Sequence, residues 1–279
     1  MESQNYRFKL GEFKCVALQD GTQDQPVEVI NEELPEEELV KVLGDHGLPT
    51  DGVTFGYNCL FIDTGEHKIL IDTGYGWYSE KGAKLLTNLK EAGIAAADIE
   101  KIIFTHADGD HVGGTLDPEG RVIYPNADYI LPRVSWDYWT SEANLSQITE
   151  EAHNFGRDIL PRIKHKVEVV DQDIPFLGGF RVLPYPAHRP DHVVILITSG
   201  QDELLHLADA VIHPLHLEYP EWICPYDSQP ELAYQDRERL LDAASDHNSM
   251  VFVSHFPFPG LGTVKKEGKA WRWHPVDGG

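Results

Sequence analysis

The sequence predicts an α/β sandwich folded as one domain. Short apolar strands alternate with amphipathic helices through both halves of the chain. No low-complexity linker divides them. The chain has 279 residues, 41% of them hydrophobic, enough for one large core without disulfide support.

The first element is YRFKLGEFKCVALQDG, whose apolar spacing predicts a hairpin turning near Gly11. In the acidic run NEELPEEELVKVLGDHG, Pro35 suits a first helical position and Gly44 a C-terminal cap. That predicts a helix over 35–43 whose charge run is a solvated face. NCLFIDTGEHKILIDTG reads as two strands around a TGEH turn. Leu85, Leu86 and Leu89 form a helical stripe closed by Gly93. The strand KIIF follows, then two helices in RVSWDYWTSEA and TEEAHNFGRDILPRI. The second half gives strands in HKVEVV, GGFRVLPYP, HVVILIT and ELLHLAD. PELAYQDRERLLDAASDH is a helix with Leu232, Leu240 and Leu241 inward. MVFVSHF is a strand, and GTVKKEGKAWRWHP is a closing hairpin.

Lys plus Arg number 23 against 46 Asp plus Glu, a formal charge of −23. Such a surface repels phosphate backbones and anionic lipid, so nucleic-acid and membrane partners are not expected. Solubility alone would also account for the acidity. Cys15, Cys59 and Cys224 are odd in number and far apart, which fits a reducing compartment. The N-terminus lacks a long apolar run, so neither signal peptide nor anchor is expected. A cytoplasmic enzyme or binding protein is the expectation. There is no G-x-S-x-G elbow, no P-loop and no GxGxxG.

The stretch FTHADGDHVGG follows the strand KIIF. It sets His106, Asp108, Asp110 and His111 in one tight loop, a packing that suits two ions side by side. Gly109 permits the turn, and Gly113 and Gly114 permit close backbone approach. The competing reading is an Asx-rich turn with capping aspartates. His188, Asp209 and His255 each lie at or just after a predicted strand in the second half. Ligands placed there converge on one edge of a sandwich, where pockets form.

The order His106-x-Asp108-x-Asp110-His111, then His188, Asp209 and His255, resembles the metallo-β-lactamase superfamily, whose usual pattern is HxHxDH followed by H, D and H. YRFKLGEFKCVALQDG, ILIDTG, HVGGTLD and VFVSHFPFPGLGTVKKEGKAWRWHP are similar to the branch holding methyl parathion hydrolase, lactonases and arylesterases. The resemblance covers nearly the whole chain and implies a single domain over residues 1–279. It implies a four-layer αββα sandwich with metals at the sheets' edge. It also implies two divalent ions, zinc by preference. One would sit on His106, Asp108 and His188, the other on Asp110, His111 and His255, with Asp209 and a water or hydroxide between them. Asp110 and Asp209 would then be the catalytic carboxylates of a hydrolase acting on a small lactone, ester or phosphotriester. A homodimer is plausible in this branch.

Asp108 departs from the family pattern. Two divalent ions, three ionised carboxylates and one hydroxide leave the centre formally neutral, where the histidine version keeps one positive charge. A less positive centre acidifies water less and favours harder ions, so manganese or iron competes better with zinc. The open alternatives are two metals, one metal in the second site, or a degenerate site. On this reading, Asp108→His raises zinc occupancy. Iron-dependent oxidoreductase or dioxygenase chemistry, or a metal-depleted binding protein, are the rival functions.

His192 resembles the family's second histidine after His188, and Asp72 in IDTG a residue that buttresses the metal loop. His213 is placed beside the pocket or in the core. Phe256 and Phe258, next to His255, are the favoured pocket aromatics over Trp77, Trp136, Trp139 and Trp222. The other histidines, His153 included, are read as structural or surface groups.

Overall fold

The structure, a computed structural model, describes residues 4–78, 83–147 and 155–276. The first sheet takes its strands in chain order: β1 (Asn5–Leu10), β2 (Phe13–Gln25), β3 (Val53–Asp63), β4 (Lys68–Ile71), β5 (Lys101–Ile103), β6 (Asp128–Pro132) and β7 (Val167–Val170). β1 to β4 pair antiparallel, and β4 to β7 pair parallel. The second sheet holds β8 (Phe180–Pro184), β9 (Val193–Ser199), β10 (Asp202–Ala208), β11 (Met250–Val253), β12 (Leu261–Glu267) and β13 (Ala270–Pro275). Only β10 and β11 run parallel there, joined through the helix Pro230–Asp246.

Strand periodicity makes the four layers. In β3, Leu60 and Ile62 point between the sheets, while Cys59 and Phe61 point outward. The inner set meets Phe180, Val182, Ile195 and Phe252 of the second sheet. The outward set packs on Leu85 and Leu89 of the helix Leu85–Glu91. On the far side, Leu205, Val251 and Val253 face Ala233, Leu240 and Leu241 of the long helix. Leu232 is only half-buried against this cluster. Each sheet is therefore buried on both faces, which is why so many strands read as continuous apolar runs.

Several local readings need correction. The acidic helix spans Glu36–Asp45, with Pro35 at its N-cap rather than inside it. The left-handed glycine beyond it is Gly47, at φ +68, not Gly44. Leu86 is 43% exposed, because the helix turns Leu85, Asn88 and Leu89 inward and Leu86 away from them. The helix expected in TEEAHNFGRDILPRI is described only from Phe155, as a π-turn followed by Leu160–Ile163; its first part and His153 lie outside the described residues. No helix among the described residues is long and apolar enough to cross a membrane.

The loop after β5 is clamped against the loop after β4. Thr73 N donates to His111 O at 2.7 Å and Gly114 N to Gly74 O at 3.0 Å. A Cβ on Gly114 would stand 2.1 Å from Thr73 O, and one on Gly113 2.4 Å from Tyr75 O, so only glycine allows this approach. Gly114→Ala should therefore lower the unfolding free energy by about 1–3 kcal/mol. Chemical denaturation of the two proteins checks this; an unchanged midpoint would mean the loops are not clamped.

Candidate metal centre

Every candidate ligand leaves the sandwich at one edge. His106 follows β5 and Asp209 follows β10 directly. His188 lies between β8 and β9, and His255 two residues past β11. Ala208, just before Asp209, has φ +47, and Asp72, just after β4, has φ +58. Left-handed backbone at a non-glycine residue costs of order 1 kcal/mol; it also occurs away from this edge, at Asp173, Leu177 and Asn248.

The side chains arrive in three overlapping groups: His106, Asp108 and His188; His106, His111 and Asp209; and Asp110, His111 and His255. Within each group the potential donor atoms lie within 4.8 Å of one another. Asp209 stands at the middle. Its carboxylate is 3.1 Å from His255 Nε2, 3.2 Å from His111 Nε2, 3.4 Å from His188 Nε2 and 3.8 Å from His106 Nε2. Asp110 lies 3.5 Å from His255 Nε2 and 3.8 Å from His111 Nε2.

Each imidazole is oriented from behind through Nδ1. His111 Nδ1 donates to Asp72 Oδ2 at 2.7 Å. Asp72 is itself fixed by Thr105 N at 2.9 Å and Thr105 Oγ1 at 2.8 Å. Having donated to Asp72, the Thr105 hydroxyl accepts from His106 Nδ1 at 3.1 Å. His188 Nδ1 faces Asp227 Oδ1 at 3.3 Å, and His255 Nδ1 donates to Gly56 O at 2.9 Å. With Nδ1 as the donor, Nε2 carries a lone pair. The four Nε2 atoms and three carboxylates thus face one another; His255 Nε2 is in hydrogen-bond contact with Asp209 Oδ2 at 3.1 Å, and the other three rings have no partner there. Nε2 of His106, His111 and His188, together with Asp209 Oδ1, is buried and makes no hydrogen bond. A buried nest of acceptors is stable only around positive charge, so the donor set fits divalent cations.

The electrostatics agree. Burial would lower the pKa of His188, but Asp108, Asp227 and Asp209 raise it to about 9. Burial is likewise overcome at His111 and His255, chiefly by Asp209. The field that favours a proton at these nitrogens favours any cation. His106 differs: burial and the adjacent His111 hold it well below the usual histidine range.

Asp108 is not alone. Arg189 Nε donates to Asp108 Oδ2 at 2.8 Å and Oδ1 at 3.1 Å. Burial alone would raise the Asp108 carboxyl, but His188, His106 and Arg189 bring it well below the usual carboxylate range. The charge tally drawn from sequence omitted this guanidinium.

Asp72 lies behind His111, as the sequence suggests. His192 Nε2 accepts the Asp209 N–H at 3.1 Å, so His192 acts on the backbone that carries Asp209. His213 Nδ1 accepts from Leu215 N at 3.2 Å and caps the turn Leu215–Glu218; its neighbour Ile212 lines the cavity instead. Phe256 is fully buried edge-on to Trp273, in the core beneath the long helix. Phe258 packs against the inter-sheet core. Neither lines the cavity, because the chain turns after β11 and sends these side chains away from His255.

The centre forms the floor of a cavity of about 560 Å³. Its walls include Phe55, Tyr57, Tyr75, Trp139, Ile212 and Tyr226. Sequence reading missed Phe55, the tyrosines, Asp227, Arg189 and Asp20. Asp20 is buried and holds the loop carrying Tyr75 by accepting from the backbone N–H groups of Tyr75 and Gly76. Only the adjacency of Arg189 to His188 was visible in the sequence.

Asp191 also lines this cavity and is fully buried, accepting from Trp139 Nε1 at 2.8 Å. Burial, aided by the Asp108 charge, pushes its carboxyl up to about 6. The folded chain therefore keeps this proton to about pH 6, while the unfolded chain releases it near 3.8. Folding takes up a proton in that window, so Asp191 costs stability as pH rises through it. Asp191→Asn should gain on the parent by up to roughly 3 kcal/mol between pH 4 and pH 7. Urea unfolding across that range checks this, and a pH-independent difference would contradict it.

The comparisons with known proteins agree with this geometry. The metallo-beta-lactamase superfamily model matches residues 52–255. An N-acyl homoserine lactonase of Bacillus cereus is 26% identical over 218 residues, 71% of this chain and 80% of that protein. Among solved structures, AidC, a dizinc quorum-quenching lactonase bound to its product, superposes with a TM-score of 0.90 at 27% identity, covering 99% of both chains. The hydrolase AbOPH of the beta lactamase superfamily reaches the same score at 21% identity, covering 99% of this chain and 98% of that one, which speaks for the fold alone. Sandwich, strand-edge ligands and family match coincide: the chain belongs to the metallo-β-lactamase superfamily.

Proposed function

We propose that this protein is a metal-dependent lactonase that opens an N-acyl homoserine lactone or a close relative to the hydroxy acid. The observation that carries this reading is the nest of four Nε2 lone pairs and three carboxylates on the floor of a cavity of about 560 Å³. That volume suits a small ligand with a short acyl chain. The lactonase relatives support the choice of a lactone over an aryl ester or phosphotriester.

His106, Asp108 and His188 would hold one divalent cation, Asp110, His111 and His255 the other, with Asp209 reaching both; zinc is the expected metal. When bound, such ions supply Lewis acidity and acidify water towards neutrality. The protein's own groups do the rest. Asp72, Thr105, Asp227 and Gly56 O keep the four rings from rotating, so no reorganisation accompanies reaction. Asp209, central among the rings, orients the attacking water and carries its proton to the ring oxygen as the C–O bond breaks. Burial, followed by the nearby Asp110, raises the pKa of the Tyr75 phenol and keeps it a hydrogen-bond donor towards substrate oxygens. Burial acts in the same direction on Tyr226, with Asp110 adding to it. Phe55, Trp139 and Ile212 offer an apolar wall for the acyl chain.

The reading is of one domain over residues 1–279, working in the cytoplasm. Its support is the −23 charge and the three cysteines, which are buried and unpaired.

Turnover of N-hexanoyl homoserine lactone, a p-nitrophenyl ester and an aryl phosphotriester by zinc-loaded protein tests the assignment. The lactone should exceed the other two in kcat/KM by about 100-fold, and chelation followed by zinc should abolish and restore its opening. A phosphotriester or aryl ester turned over faster than the lactone would refute it.

A further inference from the structure

The sequence departs from the family pattern at Asp108, and the structure sets Arg189 against that departure. Arg189 Nε reaches both Asp108 oxygens, at 2.8 and 3.1 Å, while Nη1 donates to Tyr226 O at 3.4 Å and fixes the guanidinium from its other side. The same Asp108 Oδ2 lies 3.8 Å from His106 Nε2 and 3.7 Å from His188 Nε2, so one carboxylate faces the first group of ligands and the guanidinium together. A neutral histidine would bring no charge to this position. Aspartate alone brings a negative charge, and arginine at hydrogen-bonding distance cancels it.

We propose that Asp108 and Arg189 act as one unit that takes the electrostatic place of the missing histidine. This rests on the metal-centre reading above. Asp108 supplies the oxygen ligand, and Arg189 is a positioning residue. It pairs with the carboxylate and returns the centre to the positive charge that the histidine version carries. Arg189 thereby preserves the Lewis acidity that a third bare carboxylate would weaken. The pair also reverses the expectation drawn from sequence. Asp108→His leaves Arg189 uncompensated beside a cation, so it should weaken zinc binding rather than strengthen it.

A double-substitution cycle tests this through metal affinity, independent of turnover. The parent, Asp108→His, Arg189→Gln and the double variant are each equilibrated with zinc against a competing chelator, and the stoichiometry and affinity of both sites are read. The parent should bind two equivalents. Asp108→His should lose about tenfold or more at one site while retaining the other. The double variant should regain most of that loss, Arg189→Gln alone should bind zinc at least as tightly as the parent, and Arg189→Lys should stay near the parent. Should Asp108→His fail to fold, Asp108→Asn replaces it in the cycle, with the same signs expected. If the two substitutions add, or if Asp108→His binds zinc as tightly as the parent, the pair is not a unit while the metal centre stands. A parent that binds no zinc removes the metal centre and the pair together.

Discussion

The centre depends on four imidazoles being gripped through Nδ1 by groups that belong to the fold. Asp72 sits at the end of β4, Thr105 beyond β5 and Gly56 within β3. Asp227 lies ahead of the long helix, where its Oδ2 accepts from Cys224 N at 3.4 Å and stands 3.8 Å from buried Arg237. Arg237 in turn donates to the carbonyls of Ala210, Pro220 and Trp222, binding the segment after Asp209 to the helix. The orientation of three rings is thus set by the first sheet and the loops at its strand ends, and that of His188 by the segment ahead of the long helix. Rings fixed in this way present lone pairs inward, and the carboxylates among them require positive charge to be tolerated.

Placement at one edge follows from the parallel part of each sheet. β4, β5 and β6 run the same way, as do β10 and β11, so their C-terminal loops share one end of the sandwich. The two sheets lay their apolar faces together over Leu60, Ile62, Ile195 and Phe252, which leaves the cleft between their loops as the place where polar groups can gather. The cavity above inherits an apolar wall from Phe55, Trp139 and Ile212 and a charged floor from the ligand loops.

Much of this was legible in the sequence, for physical reasons. The alternation in NCLFID and the apolar run in KIIF mark strands through side-chain period and burial. His106 to His111 lie so close in sequence that their meeting needs only a tight loop, and His188, Asp209 and His255 follow strands whose ends had to share an edge. What could not be read were the partners that meet only through the fold. Arg189 and Asp108 are 81 positions apart, and His255 finds Gly56 O across 199. Adjacency misled for the same reason. Phe256 touches His255 in sequence, yet the turn after β11 sends it against Trp273. Ile212, rather than His213, reached the cavity because His213 is used to cap a turn.

The centre requires two cations at those nitrogens. Diffraction at the zinc absorption edge, from crystals of protein purified without chelator, addresses this directly. It should reveal two anomalous peaks flanking Asp209, one against Nε2 of His106 and His188, the other against Nε2 of His111 and His255. No peak between the rings, with Nε2 hydrogen-bonded to protein groups instead, would contradict it.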